Sequence, residues 1–360
     1  MRYIFVVQGE GRGHLTQAIS LSQLLREHGH EVVKVLVGRC SNREIPSFFS
    51  AKIGAPVVKF DSPSIDYGKG GKDGDMFGTV LSNIAPSKIR LWLRSMKLIA
   101  QEIRDSRADV VINFYEFLMG FTHMFHSVKS PIITLAHQFI VDHPHFAHRS
   151  KSDKGQRLLR LNNSFCARGS KKILILSMYE MEPCEGKKLW VVPPLLRSEI
   201  VDLKPHADDY ILGYMLNPAY LDEVVAWKES APDSCDVHLF WDKRDAPTVV
   251  EHMAGLWLHR IDDVEFLRYM ERCKGYITTA GFESVCEAIY LGKPTMMIPA
   301  HFEQRINALD AQGAGGGVIS EEYNIARLIE SIPDYRGDTA KFRRWVDSAR
   351  ENFLKQLTDI

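Results

Sequence analysis

Twice along the chain, short runs rich in valine and isoleucine alternate with stretches whose apolar residues recur at helical spacing. The first series reads "YIFVVQG", "LTQAISLSQLLREHG", "EVVKVLVG", "SNREIPSFFSAKIG" and "PVVKFD", then "ADVVINFY" and "PIITLAH". The second reads "DYILGYML", "AYLDEVVAWKES", "CDVHLFW", "DDVEFLRYMERC", "GYITTAG", "FESVCEAIYLG", "PTMMIP", "EQRINALDAQG" and "GGVIS". Nearly continuous apolar strands separated by amphipathic helices are the pattern of a parallel sheet covered on both faces. A chain of 360 residues also exceeds what one core supports, because single cores stop growing near roughly 250 to 300 residues. The pattern therefore predicts an α/β protein of two doubly wound domains facing each other across a cleft, with ligands at the carboxyl ends of the strands. The Pro-Pro pair in "KLWVVPPLLRSEIVDLKPHADD" interrupts both periodicities and marks the linker. The expected division is 1–194, 195–340 and a terminal helix over 341–360. In that helix Phe342, Trp345, Ala349, Phe353 and Leu357 share one face, and it is expected to cross back to the first domain.

Composition removes several classes of function. The 45 basic and 45 acidic residues cancel, so no overall field draws the chain to nucleic acid. No run of about 18 apolar residues could span a bilayer. The amino terminus passes straight into "RYIFVVQG" without the basic, apolar and small-residue regions of a secretory signal, and a cytoplasmic location is expected. Cys40, Cys166, Cys184, Cys235, Cys273 and Cys286 form no CxxC pair, which argues against a zinc knuckle or a disulfide framework.

Two clusters carry the chemistry. The first is "VVQGEGRGHL", a strand that runs into a helix through Gly9, Gly11, Gly13 and His14. The third glycine arrives one residue too early for GxGxxG, so a nicotinamide enzyme is disfavoured. The stretch instead offers a tight turn, a close approach to backbone and an imidazole at a helix amino terminus. The second is "YITTAGFESVCEAIYLGKPTMMIPAHFEQRINA". There Gly281 ends a strand and opens a helix whose free N–H groups suit a phosphate, and Thr279 and Ser284 add hydroxyls. Glu287 is placed to accept from a ribose diol, and Glu303 and Gln304 open the next helix, where they can meet sugar hydroxyls.

Together these motifs resemble the GT-B glycosyltransferases, specifically the MurG-like group. The match runs through Gly9, Gly11, Gly13 and His14, then through Gly281, Ser284, Glu287, Gly292, Pro294, Pro299, Glu303, Gln304, Asn307 and Ala308. The resemblance implies two Rossmann-like domains, with the acceptor on the 1–194 side and a nucleotide sugar on the 195–340 side. The chain departs from the family where a glycine-rich turn is expected after "DYILGYM": Asn217-Pro218 stands there, and Asn217 is the expected substitute donor. By resemblance, Gly11, Gly13, Asn217, Thr279, Gly281, Phe282, Ser284, Glu287, Glu303 and Gln304 hold the donor. His137 and Gln138, at the end of "PIITLAH", lie on the acceptor side.

The resemblance implies an inverting transfer from a nucleoside diphosphate sugar, most readily a UDP-sugar, to an acceptor hydroxyl. An acceptor must lose its proton as it attacks and the diphosphate's growing charge must be neutralised. His14 is the expected general base, since an ordinary imidazole is largely neutral near pH 7. Glu116, just past "ADVVINFY", is the expected carboxylate on its other nitrogen. The helix amino terminus at Phe282 to Ser284 would meet the leaving group, so no metal and no separate cofactor is expected. Asp73 and Asp75 read as loop residues, and the histidines of "LAHQFIVDHPHFAHRS" as acceptor-side or solvated. A lipid-linked acceptor is among the options. The 86–100 helix, with Ile89, Trp92, Leu93, Met96 and Ile99 on one face and Lys88, Arg90, Arg94 and Lys97 around it, is a candidate for peripheral contact at the inner face of a membrane. Two further readings remain open: a UDP-sugar 2-epimerase of the same fold and a non-catalytic sugar-nucleotide-binding protein.

Overall fold

A computed structural model describes residues 1–39, 45–63, 86–148, 150, 153–215, 220–241, 243, 246–337 and 339–359. Asn217 and the Asp73–Asp75 pair lie outside the described residues. The chain forms two compact units, Met1–Arg197 with Val346–Ile360, and Ser198–Trp345. Both divisions fall a few residues beyond the expected 194 and 340.

The first unit begins with β1 (Arg2–Gln8), α1 (Arg12–Glu27), β2 (Glu31–Arg39), α2 (Ser47–Lys52), β3 (Val57–Asp61), α3 (Pro86–Ser106) and β4 (Val110–Phe114). It continues with α4 (Phe117–Phe125), β5 (Ile132–Ala136), a 3-10 turn over His137–Asp142, α5 (Lys154–Cys166), β6 (Ser170–Leu176) and β7 (Leu189–Val192). The strands form one parallel sheet in the order β3-β2-β1-β4-β5-β6-β7. The order reverses beside β1, so that β2 and β4 flank it and their carboxyl ends open a crevice. Every residue of β4 and β5 is buried, as expected for strands covered on both faces. Ile4, Val6, Leu36 and Val111 pack against Met96, Ile99 and Ile103 of α3. The amino-terminal half of α3 differs: Ile89, Leu91 and Leu93 are exposed.

The second unit contains β8 (Tyr210–Met215), α6 (Leu221–Ser230), β9 (Asp236–Trp241), β10 (Val249–Met253), β11 (Leu256–Arg260), α7 (Asp263–Arg272) and β12 (Gly275–Thr278). After these come α8 (Phe282–Tyr290), β13 (Thr295–Met297), α9 (Phe302–Gly313), β14 (Val318–Ile319), α10 (Ile325–Ser331) and α11 (Thr339–Asp347). Its sheet has the order β10-β11-β9-β8-β12-β13-β14, parallel except for the β10–β11 hairpin. The one terminal helix expected over 341–360 is two, α11 and α12 (Ala349–Thr358), with Ser348 between them. α12 belongs to the first unit, where Phe353 and Leu357 are buried, Tyr3 donates to the Leu357 carbonyl at 3.1 Å and Lys172 Nζ to that of Gln356 at 3.2 Å.

Candidate active site

The two units carry the same turn at equivalent strand ends. After β4 comes Tyr115 in the left-handed region at φ 59, then Glu116 as the cap of α4, then Phe117. After β12 come Thr279, Ala280 at φ 61, Gly281 as the cap of α8 and Phe282. A side chain is rarely held at such a φ, and where it is, the strain concentrates at functional sites. β4 flanks β1 and β12 flanks β8, so both turns sit where a doubly wound sheet binds its ligand.

The turns differ at the cap. In the first unit Glu116 is fully buried, and its Oε1 accepts from the Leu118 N–H at 3.0 Å and from Ser62 Oγ at 2.7 Å. The carboxylate therefore occupies the amino terminus of α4, the place an anion would take. Its Oε2 is buried without a hydrogen-bond partner and lies over Gly38, where a Cβ would come to 2.2 Å. Burial pushes the carboxyl up to about 7, since its charged form has lost water. In the second unit the cap is Gly281, which has no side chain to bond the helix, and a Cβ there would meet only Ser284 Oγ at 3.5 Å. No side chain at the cap position therefore bonds the first turn of α8.

His14, in the first turn of α1, is buried at 6% exposure. Its Nδ1 is 3.3 Å from Gln17 Oε1 and its Nε2 3.3 Å from Gln138 Nε2. An amide oxygen only accepts and an amide nitrogen only donates, so both contacts fit one neutral tautomer with hydrogen on Nδ1 and the lone pair on Nε2. Tyr115 stacks on the ring at 5.7 Å and His137 at 6.2 Å. The structure thus gathers His14, His137 and Gln138, and adds Gln17 and Tyr115, which sequence reasoning missed. Gln17 lies three residues beyond His14 on α1 and could have been found by helical spacing alone. The carboxylate expected on His14 is elsewhere: the hydrogen bonds of Glu116 go to Ser62 and Leu118, and Gln17 takes its place. The glycines also divide their roles. Gly9 packs against β2, its N–H donating to the Gly38 carbonyl at 2.9 Å, and a Cβ would strike that oxygen. Gly11 caps α1 with open space around it, and Gly13 lies in the first turn of that helix.

In the second unit, Gln304 Nε2 donates to Thr279 Oγ1 at 3.4 Å while its Oε1 accepts from the Ala300 N–H at 2.9 Å. Asn307 Nδ2 donates to the Ala280 carbonyl at 3.1 Å. Ser284 Oγ donates back to the Gly281 carbonyl at 3.3 Å. Phe282 and Glu287 are buried in α8, and Glu303 lies half-buried in the first turn of α9. His301 precedes it, held below the usual imidazole range by burial. Among the described residues, no three His, Cys, Asp or Glu side chains form a metal-holding group, and none of the helices is long and apolar enough to cross a membrane. In the histidine-rich segment, His143 is buried with its Nε2 3.0 Å from the Glu182 carbonyl oxygen.

Residues 1–333 match the glycosyl transferase family 1 profile. A UDP-N-acetylglucosamine–N-acetylmuramyl-(pentapeptide) pyrophosphoryl-undecaprenol N-acetylglucosamine transferase of Porphyromonas gingivalis is 23% identical over 90% of this chain and 84% of its own length. Among solved structures, UGT2 of Phytolacca americana, complexed with UDP-2fluoro-glucose and pterostilbene, superposes with a TM-score of 0.65 at 14% identity, covering 99% of this chain and 98% of that one. UGT71G1 of Medicago truncatula, complexed with UDP-glucose, gives 0.61 at 12% identity, covering 97% and 94%. These likenesses share the two-domain GT-B architecture. With its two doubly wound domains and the motif from Gly281 to Asn307, the chain belongs to glycosyl transferase family 1 and is a GT-B glycosyltransferase of the MurG-like kind.

Proposed function

We propose that the protein transfers a sugar from UDP to an acceptor hydroxyl with inversion, and without a metal or further cofactor. The observation that carries this reading is the contrast between the two caps: Glu116 fills the amino terminus of α4 with its own carboxylate, whereas Gly281 brings no capping side chain to that of α8. The donor's diphosphate is bound by the α8 N–H groups, which carry partial positive charge and stabilise the departing UDP. The complexes of the plant relatives with UDP-sugars support the choice of nucleotide.

His14 is the base. Its lone-pair nitrogen faces the Gln138 amide, and an acceptor hydroxyl that displaces this amide delivers its proton to Nε2. Gln17 accepts from Nδ1–H and holds the tautomer. Its neutral oxygen stabilises an imidazolium less than a carboxylate would.

The relative's pyrophosphoryl-undecaprenol substrate supports a lipid-linked acceptor. Exposed Ile89, Leu91 and Leu93, interleaved with exposed Arg90, Arg94 and Lys97, support peripheral contact at the inner face of an anionic membrane. Vesicle co-sedimentation with no retention counts against that contact. The function itself is tested by thermal-shift screening of nucleotides and sugar nucleotides, followed by UDP release with and without acceptor in the presence of EDTA. UDP should protect, NAD should not, and release should require acceptor and survive the chelator. Interconversion of the donor without acceptor would mark an epimerase instead.

A further inference from the structure

Two side chains of α9 reach back to the turn after β12. Gln304 bonds Thr279 and Asn307 bonds the carbonyl of Ala280, the non-glycine residue held at φ 61. Gln304 and Asn307 stand three residues apart and share a helix face. The turn they hold contains the last residues before α8 and sets the direction of its first N–H groups.

Asn307 is the more informative of the two. It is 3% exposed, and its Oδ1 is buried without a hydrogen-bond partner. A buried orphan acceptor is costly, and an apolar residue of similar size would avoid it. Only the other half of the amide has a partner, and that partner is the carbonyl of the strained residue. An alanine at positive φ relaxes toward the right-handed or extended region unless its neighbours hold it. The peptide that would rotate in that relaxation links Ala280 to Gly281, the cap of α8.

We propose that Asn307 is a positioning residue for the donor site: by anchoring the Ala280 carbonyl it keeps Ala280 left-handed and so aims the amino terminus of α8 at the diphosphate. This rests on the donor reading above. Asn307 need not touch the nucleotide; it acts through Ala280.

The dependence on strain supplies the test, because glycine adopts φ near 60° without penalty. UDP affinity is measured by calorimetry on the full chain, alongside thermal melting. Asn307→Ala should weaken UDP about tenfold, the loss of one anchoring hydrogen bond. Ala280→Gly alone should bind UDP within about twofold of the native chain. Combined with Asn307→Ala it should recover most of the lost affinity, because the turn no longer needs its anchor. Should Asn307→Ala fail to fold, Asn307→Asp keeps the size, replaces the donor with an acceptor and should lose affinity to a similar degree. A folded Asn307→Ala or Asn307→Asp chain that binds UDP as tightly as the native chain overturns the inference. So does a double variant as weak as Asn307→Ala, which would mean that Asn307 matters to the fold and not to this turn. A native chain that does not bind UDP at all overturns the donor reading itself, and this inference with it.

Discussion

Replacing Gly281 with aspartate should close the donor site and leave the fold intact. The cap position has φ -64 and ψ 133, open to any residue, and a Cβ there meets only Ser284 Oγ at 3.5 Å. The new carboxylate would accept from the first-turn N–H groups of α8, as the Glu116 carboxylate accepts from Leu118 at 3.0 Å. Aspartate is a slightly better cap than glycine, by a few tenths of a kcal/mol, so the melting temperature should hold or rise. The ligand meets two penalties. Its N–H partners are taken, and one of its charges stands about 4 Å from another negative charge, worth about 4 kcal/mol at an effective dielectric of 20. That repulsion alone is roughly a thousandfold in Kd. Calorimetric titration with UDP should show the loss, while Gly281→Ala, which adds bulk without charge, should stay within about tenfold of the native chain. A Gly281→Asp chain that melts normally and binds UDP within about threefold of native would refute the assignment of the diphosphate to α8.

His14→Ala should lower turnover at least about a hundredfold, the usual worth of a positioned base, with UDP affinity unchanged; retained turnover removes His14 from the mechanism. Gln17→Glu would place a carboxylate on Nδ1 and should shift the acid limb of the pH–rate profile upward, whereas an unmoved limb would mean that Gln17 does not orient the ring. Stability should depend on pH in two opposed ways. His238 and His259 share a 2.9 Å contact and are both held at about 4 by burial, so between pH 6.5 and 4 the unfolded chain binds more protons. Stability should then fall with falling pH, by at most roughly 3 kcal/mol per histidine. Glu116, raised to about 7, binds its proton more readily folded than unfolded, so its contribution is lost as pH rises from 4.5 to 7. Glu116→Gln should therefore stabilise the chain at pH 8 by up to about 3 kcal/mol and leave it little changed at pH 5; urea unfolding giving equal differences at both pH values contradicts the raised carboxyl.

The doubly wound architecture can be read from the sequence because strands buried on both faces are continuous apolar runs, and β1, β2, β4 and β12 are such runs. The segments that escape pattern reading have physical reasons for doing so. "TVVEHMAGLWLHR" folds as the β10–β11 hairpin, but its register shifts between Glu251 and Met253 and turns through Gly255 at φ 71, which breaks the period of two. β6 and β7 follow α5, whose amphipathic run is polar enough to pass for loop. The terminal helix breaks at Ser348 because its two halves are buried in different units, a tertiary constraint no local pattern carries. Which residues lie in the two turns is legible, and which partners they take is not. Glu116 lies in the right turn, yet whether its carboxyl meets His14 or the helix end depends on Gly38 and Ser62, brought there from β2 and the end of β3. The buried Gln17, on a face otherwise counted by its leucines, is hidden by the same limit of counting apolar positions.

The central claim, that the glycine-capped end of α8 receives the donor's diphosphate, is tested most directly by amide hydrogen exchange with and without UDP. The account predicts slowed exchange at Phe282, Glu283 and Ser284 and none at the start of α4, where Glu116 already occupies the helix end. Protection confined to Phe117–Phe125, with 282–284 unaffected, would contradict it.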